Sequence, residues 1–323
     1  MKYIAIFLFS QILLLSAAPV KAADIVSDNK TSGLRFTNSN FSFLGGVGYA
    51  SLRADELVYD GDRKVSQLIW ESDVPILTAA TKVIFENDFT LAGNFAAGLT
   101  GNSYMRDYDW ITTPPSGYSS DAWSHRSVHP DTQLVRYWTA DLALGRNFQL
   151  DETFVVNLHG GFKYTNMKWS AYGGSAIYSS EGAFRNIIGD LPDGQRGISY
   201  EQTYPVTFLG AEAVTKLDNW SFSVQVRGGL AFRADDEDHH WRRDLRFVEK
   251  FKNTPFLSLG TRADYAVSER VSLFFAGNFE QYFHRTGDTE LYNMKTGQDA
   301  FFPNGAGMKF RSFSVSGGFK YQF

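Results

Sequence analysis

The last eleven residues, "FSVSGGFKYQF" (313–323), put Phe313, Val315, Phe319, Tyr321 and Phe323 on one parity and Ser314, Ser316, Lys320 and Gln322 on the other. That is the period of a strand with one apolar and one wet face. "FSVQVRGGLAF" (222–232) repeats it, with Phe222, Val224, Val226, Leu230 and Phe232 set against Ser223, Gln225, Arg227 and Ala231. In a soluble sandwich the apolar face would pack on a core. In an outer-membrane barrel it meets lipid while the polar face lines the interior, and a terminal phenylalanine closing the last strand fits the barrel. Composition points the same way: 16% aromatic residues in a chain of mean hydropathy −0.25 suit a surface that meets lipid without long apolar runs.

The first residues, "MKYIAIFLFSQILLLSAAPVKAAD", combine an early lysine, an apolar stretch from Tyr3 to Leu15 and small residues near Ala22. They read as a secretory signal peptide over 1–22, leaving 23–323 as a single barrel domain. The chain has no cysteine, so an exported fold must rest on packing or closure rather than disulfides, and thiol chemistry is excluded. A formal charge of −4 argues against nucleic-acid binding.

The alternation marks ten strands, at about 40–57, 65–81, 90–108, 131–147, 153–172, 200–216, 219–234, 254–267, 270–285 and 308–323. The expected fold is therefore all-β, a ten-stranded antiparallel transmembrane β-barrel. Short connectors such as 216–220 and 268–270 belong to the periplasmic side; long ones at 58–64, 109–130, 173–199, 235–253 and 286–307 belong outside. Several strands exceed the roughly 9–11 residues that cross a bilayer, so the barrel is expected to extend above the membrane on the extracellular side as a water-filled cup.

Acids gather at that mouth. They are Glu56 on the first strand, Asp107 and Asp109 in "MRDYDW" on the third, and Asp236 and Asp238 in "FRADDEDHHWRRD" (232–244), where His240 shares their face. Adjacent histidines on a strand point to opposite faces and do not readily share a metal, so no metal site is expected. A carboxylate two residues from a histidine holds one imidazole tautomer, which suits His240 as a general base toward water, with Asp107 and Asp109 facing it. The competing reading is a solvated acidic rim. Strict parity from Phe222 and from Leu91 sends both acidic rows to the outer wall, so a one-residue bulge or register break is required on the third and seventh strands, for which Gly98 and Gly101 give room on the third.

The segments "RKVSQLIW" (63–70), "DYDW" (107–110), "HPDTQL" (129–134), "GGSAIYSSEGAFR" (173–185), "DEDHH" (236–240) and "NGAG" (304–307) together resemble the omptins, outer-membrane aspartyl-type endopeptidases of Gram-negative bacteria. The resemblance implies an enzyme that cleaves polypeptides beside basic residues, at dibasic sites, with its active site on the extracellular side. It implies a dyad of Asp238 and His240 and an aspartate pair of Asp107 and Asp109. It places Glu56 and Asp236 around the basic side chain before the scissile bond, and His129 in the groove. Water attacks directly, without a covalent intermediate. No cofactor is implied beyond lipopolysaccharide as activator, with Lys168 and Lys252 as the nearest cations where Asn166 and Thr203 stand at binding positions. The expected partners are basic polypeptides and outer-membrane lipid, and the expected state is a monomer.

Two departures qualify the likeness. "SHRSVHP" puts His125 and Arg126 where the family carries acids, with Asp121 nearby, so preference after the scissile bond is open. Arg242 and Arg243 form a dibasic pair beside the proposed base, a potential self-cleavage point or a counterweight to the acids. The alternative outside enzymology is a barrel acting as adhesin or receptor for cationic proteins. An outer-membrane lipid hydrolase would need a serine beside a histidine on the lipid-facing wall, and Ser223 has no such partner.

Overall fold

In a computed structural model the described residues are 41–112, 121–180 and 182–323; the expected leader, 1–22, lies outside them. Among the described residues the regular elements are strands, apart from single 3-10 turns at Glu86–Asp88 and Trp241–Arg243. The strands are β1 (Phe41–Asp60), β2 (Arg63–Ile84), β3 (Phe89–Gly98), β4 (Asn102–Asp109), β5 (His125–Gln149), β6 (Phe154–Ser180) and β7 (Ala183–Leu217). There follow β8 (Trp220–Ala231), β9 (Ala234–His240), β10 (Leu245–Phe251), β11 (Thr254–Ala266), β12 (Val271–Asn293) and β13 (Asp299–Gln322).

All pairings are antiparallel, and β13 returns to β1 in a register running from Ser42↔Gln322 to Val58↔Ala306. The sheet closes on itself through β1–β2–β3–β5–β6–β7–β8–β11–β12–β13, leaving no open edge to be satisfied in lipid. Toward the other end β4 replaces β3 between β2 and β5, while β9 and β10 replace β8 and β11 between β7 and β12.

Thirteen strand segments occur among the described residues where ten strands are expected, and the closed ring at one end passes through ten of them. The region 90–108 is two strands, and the stretches 173–199, 235–253 and 286–307, read as loops, are largely strand. The reason is physical. Above the bilayer both faces of a strand are wet, so the apolar–polar period disappears although the hydrogen-bond ladder continues.

Around the lower wall Val47, Leu77, Leu142, Leu144, Leu209, Val224, Phe275 and Phe319 point outward and stay exposed, as a lipid-facing band requires. Aromatic rings pair along its rim, with Phe41 and Phe323 at 4.9 Å and Trp220 and Tyr265 at 4.9 Å between centroids. Inside, charges are matched: Arg227 Nη1 lies 3.2 Å from Asp141 Oδ2 and Lys163 Nζ 2.9 Å from Glu280 Oε1. Higher up, Tyr137, Tyr204, Phe256, Tyr282 and Phe310 fill the lumen, with Tyr204 and Tyr282 only 4.2 Å apart. Trp70 stacks on Trp169 and Tyr200 in a further layer. These rings floor the cup that holds the acids.

Candidate active site

Both acidic rows reach the lumen because each strand gains one residue. Along β2 the register passes from Ile76↔Gly98 to Asp73↔Asn102, three residues against four, so one extra residue lies between β3 and β4. Glycine is needed there: a Cβ on Gly101 would come within 2.5 Å of the Asp73 carbonyl oxygen. Along β7 the register passes from Val206↔Ala231 to Thr203↔Asp235, again three against four, around Arg233 in the left-handed region at φ 56°. Below the breaks Thr90 and Ala231 face inward; above them Met105, Asp107, Ala234, Asp236, Asp238 and His240 do. On β1 parity holds without a break from Leu44 through Leu52 and Ala54 to Glu56.

On β9, His240 Nε2 lies 2.6 Å from Asp238 Oδ2, the separation of a charge-assisted contact, although the N–H does not point along that line in this rotamer. The other ring nitrogen, Nδ1, accepts a hydrogen bond from Arg243 Nη2 in the turn after β9. Across the mouth on β4, Asp107 Oδ1 accepts from Ser66 Oγ at 3.4 Å. Burial pushes Asp107 well above the usual carboxylate range, and neighbouring Asp109 adds to it while Arg243 pulls back. Burial also raises Asp109, against the pull of Ser66, His125, Arg243 and His240. The β9 row thus acts on the β4 row, with the Arg243 guanidinium acting on both aspartates and hydrogen-bonding the imidazole.

Deeper lies an enclosed set of acids. Glu56 and Asp236 are 2% and 1% exposed. Burial, then the charges of Asp238, Glu249, Asp236 and Asp107, push Glu56 far up. Asp236 Oδ2 accepts from Tyr200 Oη at 2.7 Å, and Tyr200 accepts in turn from Gln202 Nε2 at 2.7 Å, so the acid is tied to the aromatic floor. Burial raises Asp236 to about 7. Glu249 on β10, opposite Asp236, joins this set although the sequence reading passes over it; no local signal marks it, because its partners come from β9 and β12.

The remaining candidates separate. His129 is buried on β5 opposite Met105, one row below Asp107, with its Nε2 2.9 Å from Ser127 Oγ. Lys168 sits on the outer wall, its Nζ 3.0 Å from Glu201 Oε2. Arg136, which the sequence reading overlooks, binds the same carboxylate beside Asn166. Lys252 lies apart, exposed in the turn between β10 and β11, where its carbonyl accepts from Arg285 Nε at 3.0 Å. His125 pairs opposite Asp109, and Arg126 stacks over Trp123 at 4.9 Å, so both stay at the rim.

The omptin family model matches residues 37–323. The chain is 30% identical to the outer membrane protease OmpP of Escherichia coli K12, covering 100% of this chain and 99% of that protein. It is 27% identical to the plasminogen activator of Yersinia pestis over 88% of this chain and 90% of that one. The crystal structure of the outer membrane protease OmpT from Escherichia coli superposes with a TM-score of 0.83 at 26% identity, covering 91% of this chain and 100% of that one. A match that runs from before the first described strand to the final residue leaves no part of the barrel outside it: the chain belongs to the omptin family.

Proposed function

We propose that this omptin, an outer-membrane endopeptidase, cuts polypeptides after basic residues by direct attack of water at the extracellular mouth of the barrel. The observation that carries the reading is the Asp238–His240 contact set across the lumen from Asp107 and Asp109, with Asp238 acting on the ionisation of Asp107 and His240 on that of Asp109. Asp238 holds Nε2, so Nδ1 is the nitrogen turned to the mouth and the one that takes the proton from water. Arg243 must release Nδ1 before that transfer, since a nitrogen already accepting a hydrogen bond has no lone pair to offer. Asp107 and Asp109, whose neutral form burial favours, with Asp109 adding to the effect on Asp107, position the water and return a proton to the leaving amine. Attack by water needs no acyl intermediate.

Selectivity comes from the buried acids. An arginine or lysine entering between Glu56 and Asp236 gains charge-assisted hydrogen bonds, whereas a neutral side chain leaves the acids without donors. His125 and Arg126 line the leaving side, which disfavours a second cation there unless Asp121 offsets them. On the outer wall Arg136 and Lys168, already sharing Glu201, are the groups that would bind a phosphorylated lipopolysaccharide headgroup as activator, with Lys252 outlying. The chain acts as a monomer in this reading.

An internally quenched peptide containing Arg–Arg, assayed with and without lipopolysaccharide, tests the proposal. Cleavage after arginine, lost in His240→Ala and reduced when arginine is replaced by norleucine, is expected. Turnover of the neutral peptide at an equal rate would refute the specificity, and an active His240→Ala would refute the mechanism.

A further inference from the structure

Glu249 has no part in the reaction described above, yet it is among the most secluded carboxyl groups of the mouth, at 2% exposure. It stands on the inward row of β10 between Phe247 and Phe251, opposite Asp236 on β9 and opposite Thr289 on β12. Thr289 Oγ1 donates to Glu249 Oε1 at 3.0 Å. Its other oxygen has no donor, and neither has Asp236 Oδ1 or Glu56 Oε2. Three strands thus bring three bare, buried carboxyl oxygens to one space.

The principal charges acting on this set are acids from every side: Glu56 from β1, Asp236 and Asp238 from β9, and Asp107 from β4 acting on Glu56. From β7 comes the phenol of Tyr200, and from β12 the neutral Thr289. Leaving buried anions without donors or counterions costs several kcal/mol. Asp236 and Glu249 stand directly opposite each other on the inward faces of paired strands, both almost wholly buried, so two ionised carboxylates there would repel at close range and a proton held between them removes that repulsion.

We propose that Asp236 and Glu249 share one proton in the empty pocket and release it when a basic side chain enters, making Glu249 the third acid that holds that side chain. The inference rests on the reading of Glu56 and Asp236 as the pocket for the residue before the scissile bond. The exchange balances: one cation enters, one proton leaves to solvent, and both carboxylates become acceptors. A guanidinium, with five N–H donors in one plane, matches three such acceptors. Burial raises Asp236 to about 7, and burial and the charge of Asp236 push Glu249 up as well, so the exchange falls within reach of neutral pH. A group whose proton must leave on binding makes affinity rise with pH.

The test uses the intact protein in detergent with lipopolysaccharide, titrated calorimetrically with an arginine peptide whose scissile bond is replaced by a reduced, uncleavable one. At pH 7, binding enthalpies in phosphate, HEPES and Tris buffers give the number of protons released. About half to one proton more is expected for the wild type than for Glu249→Gln, where only Glu56 and Asp236 remain to release one. In parallel, KM for the quenched arginine peptide is expected to fall up to tenfold per pH unit across this range in the wild type, and less steeply in Glu249→Gln. Glu249→Asp, should the glutamine variant fail to fold, is expected to keep proton release with weaker binding. Absence of proton release in the wild type, or a Glu249→Gln protein that releases as much, overturns the proposal. Glu56→Gln and Asp236→Asn separate the two readings: if they leave KM unchanged the pocket itself is misplaced, and if they raise it while Glu249→Gln does not, only the present inference fails.

Discussion

Replacing Glu56 with glutamine should weaken catalysis and strengthen the fold at once. Glutamine keeps the shape and removes one charge from a site whose neighbours Asp238, Glu249, Asp236 and Asp107 are all acids. If Glu56 grips the substrate's cation, losing that charge-assisted bond costs about 1.5–3 kcal/mol. This is roughly a 10- to 150-fold loss in kcat/KM for an arginine peptide, with little change for a norleucine peptide. Stability moves the other way. Two like charges about 6 Å apart at an effective dielectric near 20 repel by roughly 3 kcal/mol. Because burial and the surrounding acids favour the neutral form of Glu56, only part of that repulsion is present in the wild type, and a smaller gain than this is expected. The sign with pH is fixed by linkage: the folded state holds the Glu56 proton more tightly than the unfolded chain does. Wild-type stability therefore falls as pH rises from the ordinary glutamate range toward the raised folded value, and the variant lacks that slope. The advantage should be present at pH 8 and vanish near pH 4. Folded and unfolded bands on a gel, after heating at a series of temperatures, measure it. A variant that melts lower than wild type at pH 8, and loses equal activity on both peptides, would show that Glu56 is a structural prop and refute the reasoning.

Other outcomes follow from the same geometry. His240→Ala should lower kcat by about 10²–10⁴ while the heat-modifiable band persists; retained turnover would remove His240 as the base. Deleting Thr100, in the short link that carries the extra residue between β3 and β4, should turn Asp107 and Asp109 to the outer wall and abolish activity in a barrel that still inserts; an active deletion would show that the register break is dispensable. Self-cleavage between Arg242 and Arg243 should occur only between molecules, because Arg243 is engaged with the His240 of its own chain. The cut fraction should then rise with protein concentration and be absent in His240→Ala; a concentration-independent cut would contradict this.

Where a strand separates lipid from an enclosed interior, its period is enforced on both faces and is readable, as in 222–232 and 313–323. The same strictness made the two register breaks predictable, since unbroken counting from Leu91 and Phe222 leaves the acids on the wrong wall. Legibility stops at the membrane surface. Residues 235–253 read as a loop because Asp235, Glu237 and His239 face water on one side while Asp236, Asp238 and His240 face a wet cleft on the other. Glu249, Arg136 and the contact of Arg243 with His240 were illegible for another reason. Each depends on which strand lies beside which, and a single chain carries no local mark of its cross-strand neighbour.

The buried rings packed across the lumen, from Tyr137, Tyr282 and Phe310 up to Trp70 and Trp169, make this cylinder a vessel with one opening instead of a conduit. A polypeptide cannot be reeled through it, and fragments must depart by the entrance they used. Cutting is thereby uncoupled from import: the released peptides diffuse away unless a separate porter collects them.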